Sequence, residues 1–359
     1  MTTIIFKNAY FLLKTGDYSK IDKYINEFVA LLPDGVRFDE ENISDMLSLR
    51  FILNEISSSL VGEGGKIGGF FATLLAATLL AYIGSVFDKS LLPTSSDKSI
   101  SATSASAICL VALFPAMREI FVLAMSVGES ISQIGTFFAS LIPLLTSIAV
   151  SSGAMEGAAV SAVQMSALAS VIEVLCSELF MPLLFVAVSL GAISALGGLA
   201  TERLLATIKN LLTKGLGLLS LFVSALFTMQ SLIASAKDTV SLRLARFTAQ
   251  SVAPSIGAVI SASMSTLASG ISYARGVVGV GAIFAIVSMV ISPALPLVIY
   301  RFAVEICQSF AALFGVKTVD RALNAMKYVL DGLVSVFFIC AALFILQLVL
   351  FLKVGAGAV

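Results

Sequence analysis

The sequence contains no histidine, and only 12% of its 359 residues are charged. Histidine is the commonest general base and the commonest metal ligand, so its absence removes the usual basis of catalytic and metal chemistry. The 22 basic and 22 acidic residues balance, so no net basic charge indicates a nucleic-acid-binding surface. The four cysteines form no C-x-x-C pair and each lies in an apolar run, which predicts buried positions for Cys109, Cys176, Cys307 and Cys340.

Apolar residues are abundant instead. They make up 58% of the chain, and the mean hydropathy is +1.02. Soluble domains contain roughly 45–50% apolar and about 25% charged residues. So little polar surface cannot cover a water-soluble protein of this length, and the composition therefore predicts a chain dissolved in lipid.

Residues 1–65 differ from the rest of the chain, because ten of the 22 acidic residues lie there. Ile21, Tyr24, Ile25 and Phe28 recur at helical spacing, which predicts a small amphipathic helical region on the membrane or against a partner. The first residues contain no apolar run of signal-peptide length, so no secretory signal is predicted at this start.

From residue 66 onward, long uncharged intervals separate the charges. A membrane-crossing helix needs about 20 apolar residues. Residues 66–359 are therefore predicted to form a polytopic transmembrane domain with six to eight crossings, and the protein to be an all-α integral membrane protein. Basic residues on both sides of one span leave its orientation open. The uncharged intervals are 66–88, 98–118, 129–156, 178–202, 214–237, 246–275, 275–301 and 331–353.

Small side chains recur at i+4 spacing along one predicted helix. In lipid, close packing of small residues replaces the hydrophobic drive between helices. This spacing predicts a helix-packing face, and it favours self-association. The face consists of Ala158, Ala162, Ser166 and Ser170.

Residues 251–272 are rich in hydroxyl groups, and Pro254 and Gly257 lie near their start, where a helix can break. Broken or re-entrant backbone occurs at membrane depth only where protein or a water-filled cavity surrounds it. The segment is therefore a candidate pore lining, with ordinary packing as the alternative. Its pore-lining candidates are Ser255, Gly257, Ser261, Ser265, Thr266 and Ser269.

Charged residues near membrane depth form a second candidate group, since ionisable side chains in spans are costly and often mark pathways. The alternative is that they mark loop ends, and Arg275 and Arg301 are interpreted as interfacial anchors. The sequence has no nucleotide-binding loop, and no enzymatic activity, cofactor or metal is predicted. The membrane-depth candidates are Glu173, Glu178, Asp238, Arg243 and Arg246.

Two segments carry a more specific signal: residues 237–247 read KDTVSLRLARF, and residues 252–257 read VAPSIG. They resemble the pattern "DG-V-S-L-R-x-A-K-F" and then "F-I-P-V-V-G" of the stage III sporulation protein AE family. Upstream, LIPLLT at 141–146 resembles that family's "L-x-P-x-L-x-T". The order agrees over about residues 45–353. Thr239 stands where the family has glycine, and Ala262 and Ser265 stand where it has acidic residues.

The resemblance implies a role in sporulation, in the mother-cell membrane around the forespore. It implies a channel or export-gate subunit of a secretion-like complex with the stage III sporulation proteins AA to AH and stage II sporulation protein Q. Two other readings stay open: a secondary transporter with a midplane site near Pro254 and Gly257, and a non-conducting scaffold.

Overall fold

The structure is a computed structural model, and it describes residues 19–32, 49–91, 98–151, 155–194, 203–221, 223–225 and 254–353. These ranges contain helices and no strand, which confirms the all-α fold. The elements are α1 (Ser19–Leu31), α2 (Leu49–Leu91), α3 (Lys98–Ser151), α4 (Met155–Val174), a π-helical segment (Leu175–Phe180), α5 (Met181–Ser194), α6 (within Arg203–Ala225), α7 (Pro254–Leu313) and α8 (Lys317–Lys353).

Six described segments are long and apolar enough to cross a membrane, in agreement with the predicted range of crossings. They are Val61–Val86, Val111–Ser151, Ala158–Gly191, Arg203–Ala225, Tyr273–Leu313 and Lys317–Val349.

Two pairs of the predicted intervals are each joined into one helix. The intervals 98–118 and 129–156 meet in α3, which has 54 residues, and 246–275 and 275–301 meet in α7, which has 60. A charged residue does not by itself end a helix, whether it is exposed like Glu129 in α3 or buried like Arg275 in α7. The prolines inside α3 and α7 do not end these helices either. At about 1.5 Å per residue, both helices are far longer than the roughly 30 Å hydrocarbon core of a bilayer.

α1 is amphipathic and packs against the bundle. Ile25 and Phe28 are buried, and the hydroxyl groups of Tyr24 and Ser151 lie 2.8 Å apart at the end of α3. α2 runs without interruption from Leu49 to Leu91 and so passes through the division drawn at residue 65. The described helices thus connect the N-terminal region to the first span directly, and the division into two domains stays a prediction.

α8 lies at the centre of the bundle and contacts α3, α5 and α7. It pairs with α7 as an antiparallel hairpin, whose turn contains Gly315 at a φ of 69°. This left-handed backbone suits glycine, which has no Cβ to clash. Near the open end of the hairpin, Gly279 of α7 lies against the Leu352 side chain.

The buried face of α4 differs from the predicted packing face. Ala158 is buried and Ala162 is half-buried, but Ser166 and Ser170 are exposed. Each four-residue step overshoots a 3.6-residue turn by about 40°, so three steps rotate the side chain away from the core. The face that packs within the chain advances by alternating threes and fours through Ala158, Ser161, Met165, Leu168 and Ile172. Contact of Ser166 and Ser170 with another chain stays a prediction.

Candidate functional site

Among the described residues, a backbone irregularity inside a candidate span lies at Leu175–Phe180, where a π-helical stretch joins α4 to α5. Pro182 accounts for it, because proline has no N–H and its ring clashes with the carbonyl four residues earlier, that of Glu178. The Met181 N–H donates to the Cys176 carbonyl, a bond that spans five residues instead of four. π-Helical turns are frequent at functional sites.

A cavity of about 280 Å³ lies between α3 and the π segment. This volume is just below the range of drug-sized ligand pockets and has room for several waters or a hydrated ion. Most of its wall is apolar, and its polar side chains are two carboxylates and a hydroxyl. The lining residues are Met125, Gly128, Glu129, Ile131, Ser132, Glu173, Cys176, Met181 and Phe185.

The two carboxylates belong to Glu129 of α3 and Glu173 of α4, and each lies near the middle of its candidate span. A Cβ built on Gly135 would lie 3.9 Å from Glu173 Oε2, so this carboxylate reaches towards α3 where that helix has no side chain. Both glutamates are exposed on the surface of the isolated chain. An acidic side chain at the centre of a bilayer costs about 2.5–3.5 kcal/mol on insertion scales. This face is therefore a poor lipid contact.

Contacts with α8 give an independent measure of depth. Cys176 of the π segment meets Cys340, which lies nine residues after Asp331 and thirteen before Lys353. No charge occurs between those two residues, and their separation suits one crossing. The cavity wall therefore lies well inside the apolar part of the bundle.

A network of charged side chains joins α6, α7 and α8 at the start of that apolar part. The Arg301 Nε donates to Asp331 Oδ1 at 2.7 Å, and the Lys327 Nζ donates to Glu305 Oε1 at 2.9 Å. The Lys209 Nζ lies 3.9 Å from Asp331 Oδ2. Arg301 is thus a cross-helix partner, a role that its interpretation as an interfacial anchor missed. Opposite charges at i,i+4 spacing on both sides of Gly315 were the available signal.

The predicted membrane-depth residues divide into three groups. Glu173 lines the cavity, whereas Glu178 is exposed on the π segment and is not among the lining residues. Asp238, Arg243 and Arg246 lie outside the described residues. Glu129 was not predicted, although its position between apolar stretches was a usable signal.

The predicted pore lining lies on the first part of α7. Pro254 is the first residue of this helix, where proline is well tolerated, and the described backbone continues through Gly257 without a break. The broken backbone expected there is absent from this described stretch, and the π segment is the irregular one. The side chains of Ser255, Ser261, Ser265, Thr266 and Ser269 lie outside what the structure describes, so their role stays a prediction.

The long apolar helices define a polytopic membrane protein, and two carboxylates lie halfway along two of its candidate spans. The chain belongs to the stage III sporulation protein AE family, whose model matches residues 39–355. It is 22% identical over 341 residues to the stage III sporulation protein AE of Bacillus subtilis (strain 168), covering 92% of this chain and 81% of that protein. No solved structure matches it.

Proposed function

We propose that this protein is a non-enzymatic channel or export-gate subunit of a complex that moves material between the mother cell and the forespore. The sporulation family and the six candidate spans support the setting. The observation that carries the proposal is the pair Glu129 and Glu173, two exposed carboxylates at mid-span on the wall of one cavity.

At this face, a water-filled pathway is favoured over contact with lipid because of the energetic cost of placing a carboxylate in lipid. The Glu129 carboxylate alone would cost about 2.5–3.5 kcal/mol if it were turned to lipid at the centre of a bilayer. A water-filled path or a neighbouring subunit removes most of that cost, because water or polar groups then solvate the carboxylates. A channel built by several copies supplies both surroundings.

The partners follow from the same family resemblance. The complex would contain the stage III sporulation proteins AA to AH in the mother-cell membrane and stage II sporulation protein Q on the forespore side. Several copies of this chain form a homo-oligomer around the path. If transport consumes energy, a partner ATPase supplies it, because this chain has no nucleotide-binding loop.

Cysteine accessibility tests the proposal. In a cysteine-free background reconstituted into liposomes, Glu173→Cys is treated with a membrane-impermeant thiosulfonate reagent. We expect fast modification, because a thiol on a water-filled path ionises and reacts although it lies at mid-span. The matched control is Val174→Cys, since Val174 is the next residue and is 56% exposed on another face of the helix. A thiol that faces lipid stays protonated and unreactive.

Equal protection of both cysteines would contradict a path at this face and would favour the scaffold reading. Modification of Glu173→Cys that one small solute blocks, and others do not, would favour the transporter. Ion flux across the same liposomes gives the second readout. We expect it to fall when the modified cysteine carries a bulky group, and to remain unchanged with the control.

A further inference from the structure

Two cysteine side chains meet in the core beside the cavity. The Cys176 and Cys340 Sγ atoms lie 2.6 Å apart, and the two residues are separated by 164 positions in the sequence. Carbon atoms in ordinary van der Waals contact lie about 3.5–4.0 Å apart, and a disulfide bond is about 2.05 Å long. Both cysteines are free, and both side chains are almost completely buried. Their helices therefore already hold the two sulfurs within reach of a covalent bond.

The cavity gives a small reagent a way to this pair. Cys176 lines the carboxylate cavity, whereas Cys340 lies behind it on α8 and is not among the lining residues. Cys176 also belongs to the π segment, where its carbonyl accepts from Met181 across five residues. A reagent in the cavity thus meets one thiol first and finds the second thiol directly behind it.

We propose that Cys176 and Cys340 are a modification site: a dithiol that an external disulfide oxidises to an intramolecular disulfide linking the π segment to α8. The Cys176 thiolate attacks one sulfur of the external disulfide, forms a mixed disulfide and releases one thiol. The Cys340 thiolate then attacks Cys176 Sγ and expels the second thiol. Two protein S–H bonds are lost, one S–S bond forms, and the external disulfide is reduced to two thiols.

The product fixes the wall of the cavity. The π segment connects α4 to α5, and a covalent bond from it to the central helix α8 prevents these elements from separating. Reduction restores that freedom. The oxidation state of the pair therefore sets whether the π segment is covalently tied to α8.

The experiment uses the full-length chain with Cys109→Ser and Cys307→Ser, purified in nanodiscs, with the small apolar reagent 4,4′-dithiodipyridine as the probe. We expect two equivalents of thiopyridine to be released per chain. The product mass should be lower than that of the reduced chain by two hydrogens, with no retained pyridyl group. Proteolysis without reductant should yield one linked pair of peptides that contains positions 176 and 340.

The control adds Cys340→Ser, which should release one equivalent and keep the mixed disulfide on Cys176. The unsubstituted chain, oxidised in the same way, should give the same linked peptides and shows that the serine replacements did not create the bond. Absence of thiopyridine release, or pyridyl groups retained on separate cysteines, would overturn the proposal. So would a linked peptide that joins either cysteine to Cys307.

Discussion

Asp331 is the residue on which the charge network between three helices converges. Its carboxylate accepts from Arg301 and lies near Lys209, and its side chain is only 24% exposed. Asp331→Asn should lower the free energy of unfolding by about 1.5–3 kcal/mol, because it weakens a charged hydrogen bond and leaves Arg301 with Glu305 as its partner in the network. A thermal unfolding scan in detergent would show this as a lower Tm.

Glu63→Gln is the matched control for that change. Glu63 pairs with Lys66 at 2.9 Å, but both lie on one helix and the Lys66 side chain is 66% exposed. Exposed pairs of this kind contribute about 0–1 kcal/mol. Equal loss of Tm in the two variants would mean that the cross-helix network adds nothing beyond surface charge. Arg301→Gln completes a double-mutant cycle with Asp331→Asn, and a coupling energy near zero would contradict a direct interaction.

Helix packing at α8 makes a sharper prediction. A Cβ built on Gly332 would lie 2.9 Å from Leu184 Cδ2 of α5 and 3.5 Å from Leu212 Cδ1 of α6, and both leucines are buried. Gly332→Ala should therefore lower the Tm, because overpacking costs about 1–3 kcal/mol and exceeds the helix propensity that alanine gains. Gly276→Ala in α7 is the control, since its Cβ would meet nothing within 4 Å. We expect that change to raise the Tm, and the same sign for both variants would contradict the close approach at Gly332.

At the scale of elements, the sequence was informative about composition and periodicity and uninformative about contacts. The spans and the all-helical fold follow from apolar length alone. The continuity of α3 could not be predicted from apolar length. Arg118 and Glu129 look like loop ends in the charge pattern, yet both are compatible with a continuous helix. Proline disrupts the interior of a helix, so Pro182 is a visible signal in the sequence. Only the geometry shows that one turn widens beside it and that Cys176 and Glu173 line the cavity there.

The cavity could not be predicted for a related reason. Glu129 and Glu173 are 44 positions apart and lie on different helices, so no local pattern connects them. Gly135 of α3 faces the Glu173 carboxylate at ordinary van der Waals distance, since a Cβ built there would lie 3.9 Å from Glu173 Oε2. Pairings of this kind depend on how the helices cross, and helix crossings cannot be inferred from the residue pattern of a single sequence.

At the scale of the whole molecule, the distribution of charge divides the α7–α8 hairpin into an uncharged part and a charged part around its turn. Residues 276–300 and 332–352 contain none, whereas residues 301–331 contain Arg301, Glu305, Lys317, Asp320, Arg321, Lys327 and Asp331. Each uncharged block has the length of one crossing. We therefore expect the blocks to lie in lipid, side by side, and the segment around the Gly315 turn to project beyond the hydrocarbon core.

A pair of serines on α7 tests this placement, since Ser292 lies in the first uncharged block, Ser309 lies in the projecting part, and both are exposed. They are 17 residues apart, or about 25 Å along the helix. In a cysteine-free background in liposomes made permeable on both sides, Ser309→Cys should react with a water-soluble maleimide and Ser292→Cys should not. The reverse result would move the membrane towards the turn and would take Glu129 and Glu173 out of the hydrocarbon core, so that their exposure no longer argued for a path. The expected result would mean that lipid shields the exposed position 292 on α7 from water. If Glu173→Cys also reacts, water reaches position 173 even though it lies inside the hydrocarbon core.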